Sequence, residues 1–163
     1  MTKFKLRDFI IKGGFNSGLK VYENNELILV SEVSKNWPKS DFINIYDGQN
    51  KLLASIKHVE RLFKNEFEIF DQNLGIKSIN QSGRKGNIEL DNGKVFKFNY
   101  NIIYVITNPY LKILYNDNEI GKLNNKKFGF SLNYKLSIKD AYKDYLNYIL
   151  TYILVTESNK YYD

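Results

Sequence analysis

The segment Ser137–Thr156, SIKDAYKDYLNYILTYILVT, constrains the fold more than any other stretch of the chain. Its second half, Tyr148–Val155, is apolar or aromatic at every position except Thr151. A helix apolar nearly all round has to be buried nearly all round. Ser137 followed by Asp140 reads as a capping box at its start, with Leu136 and Ala141 in the positions of a hydrophobic staple. Asp140, Lys143, Asp144, Asn147 and Thr151 fall at helical spacing and form one narrow polar stripe. The apolar run is too short, and too closely preceded by charges, for a membrane-spanning helix. The stripe is too narrow and too mixed in sign for a helix lying on a membrane surface. A core helix over 137–156 is therefore expected, with a short tail over 157–163. Burying its large side chains is worth on the order of 20 kcal/mol before entropy is charged.

The remainder reads as short alternating strands over 3–136. Leu19–Glu23 turns at Asn24-Asn25, Phe42–Asp47 at Gly48-Gln49-Asn50, and Glu66–Asp71 at Gln72-Asn73. Asn87–Leu90 turns at Asp91-Asn92-Gly93, and Tyr110–Tyr115 turns at Asn116–Asn118. Asn, Asp and Gly tolerate the positive φ that tight hairpins require. About a dozen strands are more than one small open sheet carries without closing. Ile43, Ile45, Ala54, Ile56, Phe67, Ile88, Phe96, Phe98, Ile113, Phe128, Phe130 and Tyr134 alternate with polar neighbours and are expected to point inward. Asn44, Lys51, Glu68, Lys97, Lys112 and Lys135 are expected to face water. A barrel of that size is too wide to fill with its own side chains. The fold class expected is a mainly β, closed antiparallel barrel of about twelve strands around a central hydrophobic C-terminal helix. Glu32–Asp41, His58–Asn65 and Asn80–Gly86 read as the long loops of this single domain, 1–163.

Cysteine is absent, so neither a disulfide framework nor a thiolate metal site is available. The opening MTKFKLRDFIIKGG holds no run fit for a signal peptide, because Arg7 and Asp8 interrupt it. A cytoplasmic protein is expected. Lysine and arginine exceed the acids by six, a scattered surplus that assists encounter with anionic partners and identifies none of them.

Catalytic chemistry finds no foothold. His58 is the sole histidine and cannot build a multi-histidine metal site. No orienting acid or nucleophile can be placed beside it. Asp47, Asp71, Asp91 and Asp117 sit at separate hairpin tips, where turn formation explains them. Gly83-Arg84-Lys85-Gly86 lacks the spacing of a phosphate loop. No metal, cofactor or catalytic residue is expected. The candidates for an anionic ligand are Lys57, Arg61 and Lys64, then Arg84 and Lys85, then Lys126 and Lys127. Of these, Arg84 and Lys85 between two glycines are best able to reach one phosphate together.

The hairpins IYDGQNKLLASIK (Ile45–Lys57) and LKILYNDNEIGKL (Leu111–Leu123), with a closing strand running into LSIKDAYKDYLNYILTYILV, resemble the LURP-one-related proteins. These belong to the tubby C-terminal-like superfamily, which includes the phospholipid scramblases. The resemblance covers nearly the whole chain and rests on pattern and order. It implies a closed barrel around a hydrophobic helix and, more loosely, contact with acidic phospholipid headgroups. The expectation is a non-catalytic interaction module, peripheral to an anionic membrane surface on its cytoplasmic side. The alternative is a nucleic-acid-binding or protein-scaffold module, also without enzymatic activity. Aromatics on inward faces weigh against base stacking. A small-molecule carrier needs an empty lumen where the helix is expected.

Overall fold

A computed structural model describes residues 4–13, 18–36, 39–61, 64–101, 108–125 and 132–159. Twelve strands form one closed antiparallel barrel in which each pairs with its neighbours in sequence. They are β1 Leu6–Gly13, β2 Leu19–Glu23, β3 Glu26–Asn36, β4 Lys39–Asp47, β5 Leu52–Arg61 and β6 Lys64–Gln72. Then come β7 Ile76–Ser82, β8 Lys85–Leu90, β9 Val95–Tyr100, β10 Leu111–Tyr115, β11 Asn118–Asn125 and β12 Leu132–Lys139. The first and last strands close the wall, in register from Leu6↔Lys139 to Gly13↔Leu132. The turn residues do what their type allows. Asn24, Asn25, Asn116 and Asp117 all take positive φ, between 48° and 67°.

Alternation sorts the wall as the sequence requires. Ile43, Ile45, Ala54, Ile56, Ile88, Phe96, Phe98 and Ile113 are fully buried inside. Lys51, Glu68, Lys97 and Lys112 are exposed outside. Phe128 and Phe130 lie outside the described residues. A wall apolar within and polar without is the reverse of a barrel that spans a bilayer. Among the described residues no helix is long and apolar enough to cross a membrane.

The C-terminal helix α1, Leu146–Asn159, occupies the interior. Ile149, Leu150, Tyr152, Ile153, Leu154 and Val155 each have no exposed surface, whichever way they point. A helix is about 10–12 Å across with its side chains, which suits the width that strands alone leave open. The polar stripe explains itself by depth. Lys143, Asp144 and Asn147 are exposed at the barrel mouth, and Thr151 is buried below it.

Three sequence expectations need correction. The helix does not begin at Ser137. That residue lies in β12, and its hydroxyl donates to Asp8 Oδ1 at 2.6 Å across the β1 seam. A cross-strand ladder outbids a local cap here, because Leu136, Ser137 and Ile138 are all buried against the closing strand. Asp140–Tyr145 form a 3-10 turn, kinked at Tyr142, that carries the chain over the mouth with no side-chain cap at Lys139. Nor does the helix stop at Thr156: Glu157 and Ser158 continue it and are buried. The third correction concerns the supposed long loops. Glu32–Asp41, His58–Asn65 and Asn80–Gly86 are mostly strand, extending the β3–β4, β5–β6 and β7–β8 hairpins by pairs such as Glu32↔Asn44, Glu60↔Asn65 and Gln81↔Gly86. Their polarity misleads because the interior itself turns polar at that end.

Candidate functional site

Up-and-down connection gives the barrel two distinct ends. The helix enters at one, where the turns after β2, β4, β6, β8 and β10 lie. It finishes near the other, where β3, β5, β7, β9 and β11 terminate. The basic candidates fall at this second end. Arg61 closes β5 and Lys64 opens β6, paired in register with each other. Arg84 sits in the β7–β8 turn and Lys85 opens β8, opposite Ser82. Asn65 pairs with Gln81, so the two hairpin tips stand side by side.

Arg84 and Lys85 are exposed. Gly83, at φ +55°, supplies the left-handed turn beside them. The Arg84 carbonyl accepts from Tyr100 N at 2.9 Å, which ties this tip to β9. Lys57 does not join them. It lies on the wall with its amine 3.7 Å from Glu68 Oε2. Lys126 and Lys127 follow Asn125, the last residue of β11, and lie outside the described residues.

At the entry end the four aspartates stay apart: Asp47 and Asp71 lie at the ends of β4 and β6, and Asp91 and Asp117 in separate turns. Asp47 accepts backbone N–H bonds from Gln49 and Lys51, each at 2.9 Å. Asp117 pairs with Lys97 at 2.8 Å, and that hydrogen bond, with the lysine charge, lowers its carboxyl below the usual range. Among the described residues no three His, Cys, Asp or Glu side chains gather as metal ligands would. Two open hollows of about 530 and 630 Å³ mark the outer wall at β12, β1 and β2. Both are lined by cations and anions together. Arg7 and Glu23 hold each other there through hydrogen bonds of 2.9 and 2.8 Å.

Inside the wall near the exit rim lies a buried polar group that the sequence reading missed. Glu157, on the last turn of α1, accepts from Tyr134 Oη at 2.9 Å and from Tyr110 Oη at 3.3 Å. Tyr100 Oη donates to Thr156 Oγ1 at 3.1 Å, and Ser31 Oγ and Ser158 Oγ share a bond of 2.7 Å. His58 Nε2 lies 3.0 Å from Asn65 Oδ1, and Asn65 donates to Gln81 at 3.5 Å. Burial pushes the Tyr100 phenol well above its ordinary range, and the neighbouring Tyr152 and Glu157 add to the shift. Tyr152 moves the same way, chiefly through burial. Both phenols stay neutral at physiological pH.

The missed residues carried a signal. Tyr134 was expected inside, where a buried phenol needs a partner. Thr156-Glu157-Ser158 supplies three polar groups straight after the apolar run. This arrangement anchors the helix end to β3, β9 and β12.

Compared with known protein families, curated proteins and solved structures, the chain has no match in any of the three.

Proposed function

We propose that this chain is a non-catalytic barrel module that binds anionic phospholipid headgroups at a membrane surface. The observation that carries the reading is the placement of Arg61, Lys64, Arg84 and Lys85 at the tips of two adjacent hairpins, β5–β6 and β7–β8, at one rim. The helix fills the lumen, which leaves the outer surface and rims to meet a partner. The resemblance to LURP-one-related proteins supports the choice of headgroup over other anions, and with it a peripheral position on the cytoplasmic side.

Each Lys or Arg near an anionic leaflet is worth about 1 kcal/mol, so these four supply roughly 4 kcal/mol. Binding of that size is reversible and sensitive to salt. The nucleic-acid alternative gains no support from Phe96, Phe98, Tyr100, Tyr110 and Tyr134, which are buried, although Phe4 and Phe70 are exposed. Co-sedimentation with phosphatidylserine-containing and phosphatidylcholine-only vesicles tests the proposal. Preference for the former, weakened by salt and by Arg84→Glu/Lys85→Glu, is expected. Equal partitioning at low salt sinks it.

A further inference from the structure

We infer that the barrel meets an anionic membrane end-on, by the rim where the helix finishes, with its entry end pointing away. This rests on the headgroup reading above and adds to it an orientation that the charge layout dictates.

The two ends of the β3–β8 wall differ in sign. Within three residues of the strand ends, the exit rim carries Lys35, Lys39, Arg61, Lys64, Arg84 and Lys85 against Asp41, Glu60 and Glu66. The same count at the entry end gives Glu26, Asp47, Asp71, Glu89 and Asp91 against Lys51 and Lys77. Lys77 there is spent on Glu89, at 2.7 Å. The remaining acid near the exit rim, Glu157, is enclosed by the phenols of Tyr110 and Tyr134.

Part of the wall between the ends is charge-paired: Lys57 with Glu68, Lys97 with Asp117, Lys112 with Glu119, and Lys135 with Asp8. Lys12, Lys20 and Lys122 stand exposed on β1, β2 and β11. Arg84 and Lys85 have no such acidic partner among the described residues.

Distance decides how these fields combine. Strands of about nine residues, at roughly 3.3 Å per residue and a tilt near 40°, separate the rims by roughly 20–25 Å. That is about three Debye lengths at physiological ionic strength. A charged surface touching one rim therefore hardly senses the other. The exit rim of β3–β8 is attracted, and the entry end of the same strands is repelled.

The test uses two charge-matched variants and two labels. Arg84→Glu/Lys85→Glu alters the exit rim, and Lys51→Glu/Lys143→Glu alters exposed positions at the entry end. Each lowers the formal net charge of +6 by four. Because the chain has no cysteine, Ser82→Cys and Gln49→Cys give unique sites for an environment-sensitive fluorophore at opposite ends. Thermal melts confirm that each variant folds. The first double variant is expected to lose phosphatidylserine-vesicle binding by about 25-fold or more, the second by less than about twofold. The Ser82 label is expected to shift to the blue on vesicles and the Gln49 label to stay unchanged. If wild-type chain ignores the vesicles, the headgroup reading fails and the orientation goes with it. If it binds but both double variants weaken alike, or the Gln49 label shifts as much as the Ser82 label, the orientation alone is overturned.

Discussion

Gly86→Ala on β8 offers a sharp test because the two possible arrangements predict opposite signs. A Cβ at Gly86 would stand 1.7 Å from Tyr152 Oη, 2.7 Å from Cζ and 3.0 Å from the Asn80 carbonyl oxygen. Ordinary contact needs more than 3.4 Å, so the phenol has to retreat by well over an ångström. It has nowhere to go. Tyr152 has no exposed surface and its ring is stacked on Phe98, with centroids 3.6 Å apart and planes 8° from parallel. Overpacking of this kind costs about 1–3 kcal/mol. On a strand with free space above it, the same change would gain about 0.5–1 kcal/mol by shedding glycine's entropy. Urea unfolding is the assay. With a slope near 2 kcal/mol/M, the midpoint should fall by about 1 M. Tyr152→Phe removes the atom in closest conflict, a hydroxyl that has no hydrogen-bond partner of good geometry. The double variant should therefore recover about half the loss, read as coupling in a double-mutant cycle. A neutral or stabilising Gly86→Ala would refute the placement of this helix face against β8.

Other perturbations probe different parts of the interior. Ile153→Ala, at a site with no exposed surface, should cost about 2–5 kcal/mol in the same unfolding assay. Glu157→Leu leaves the hydroxyls of Tyr110 and Tyr134 without their acceptor; a loss of at least about 2 kcal/mol is expected, measured by thermal melts. The raised phenol pKa values of Tyr100 and Tyr152 make the folded state hold protons that the unfolded state releases. Stability is thus full below about pH 10 and falls above it, by about 1.4 kcal/mol per pH unit for each phenol. Tyr152→Phe should flatten that alkaline slope; an unchanged slope counts against burial as its cause. Asp8 has its carboxyl lowered by the Ser137 hydrogen bond and by Lys135, so its contribution should vanish as pH falls below about 4. Asp8→Asn should cost under about 1 kcal/mol at pH 7, since the pair is half exposed.

The barrel and its plug were legible because period and composition agreed. Alternation placed Ile43, Ile45, Phe96 and Phe98 inside, and an all-round apolar run at Tyr148–Val155 left no site but the interior. The helix start was misread because Ser137 and Asp140 satisfy a local capping rule, while a partner more than a hundred residues away, Asp8, competes for the same hydroxyl. Local pattern cannot weigh a non-local ladder. The polar strand ends were misread for a related reason. Alternation detects a face only when the buried side is apolar, and at the exit end the buried side includes Ser31, His58 and Gln81. The basic residues were each visible in sequence, but their gathering was not. The β5–β6 and β7–β8 tips share one rim only because the two hairpins lie side by side, a consequence of the closed meander and its register.

Hydrogen exchange along the chain reaches the central claim most directly. With α1 threaded through a sealed wall, amides of Ile149–Thr156 can open only when the barrel opens, so they should be among the last to exchange, at the rate set by global unfolding. Exchange of that segment within seconds, together with hairpin tips such as Gly48–Lys51, would place the helix outside the wall and contradict the account.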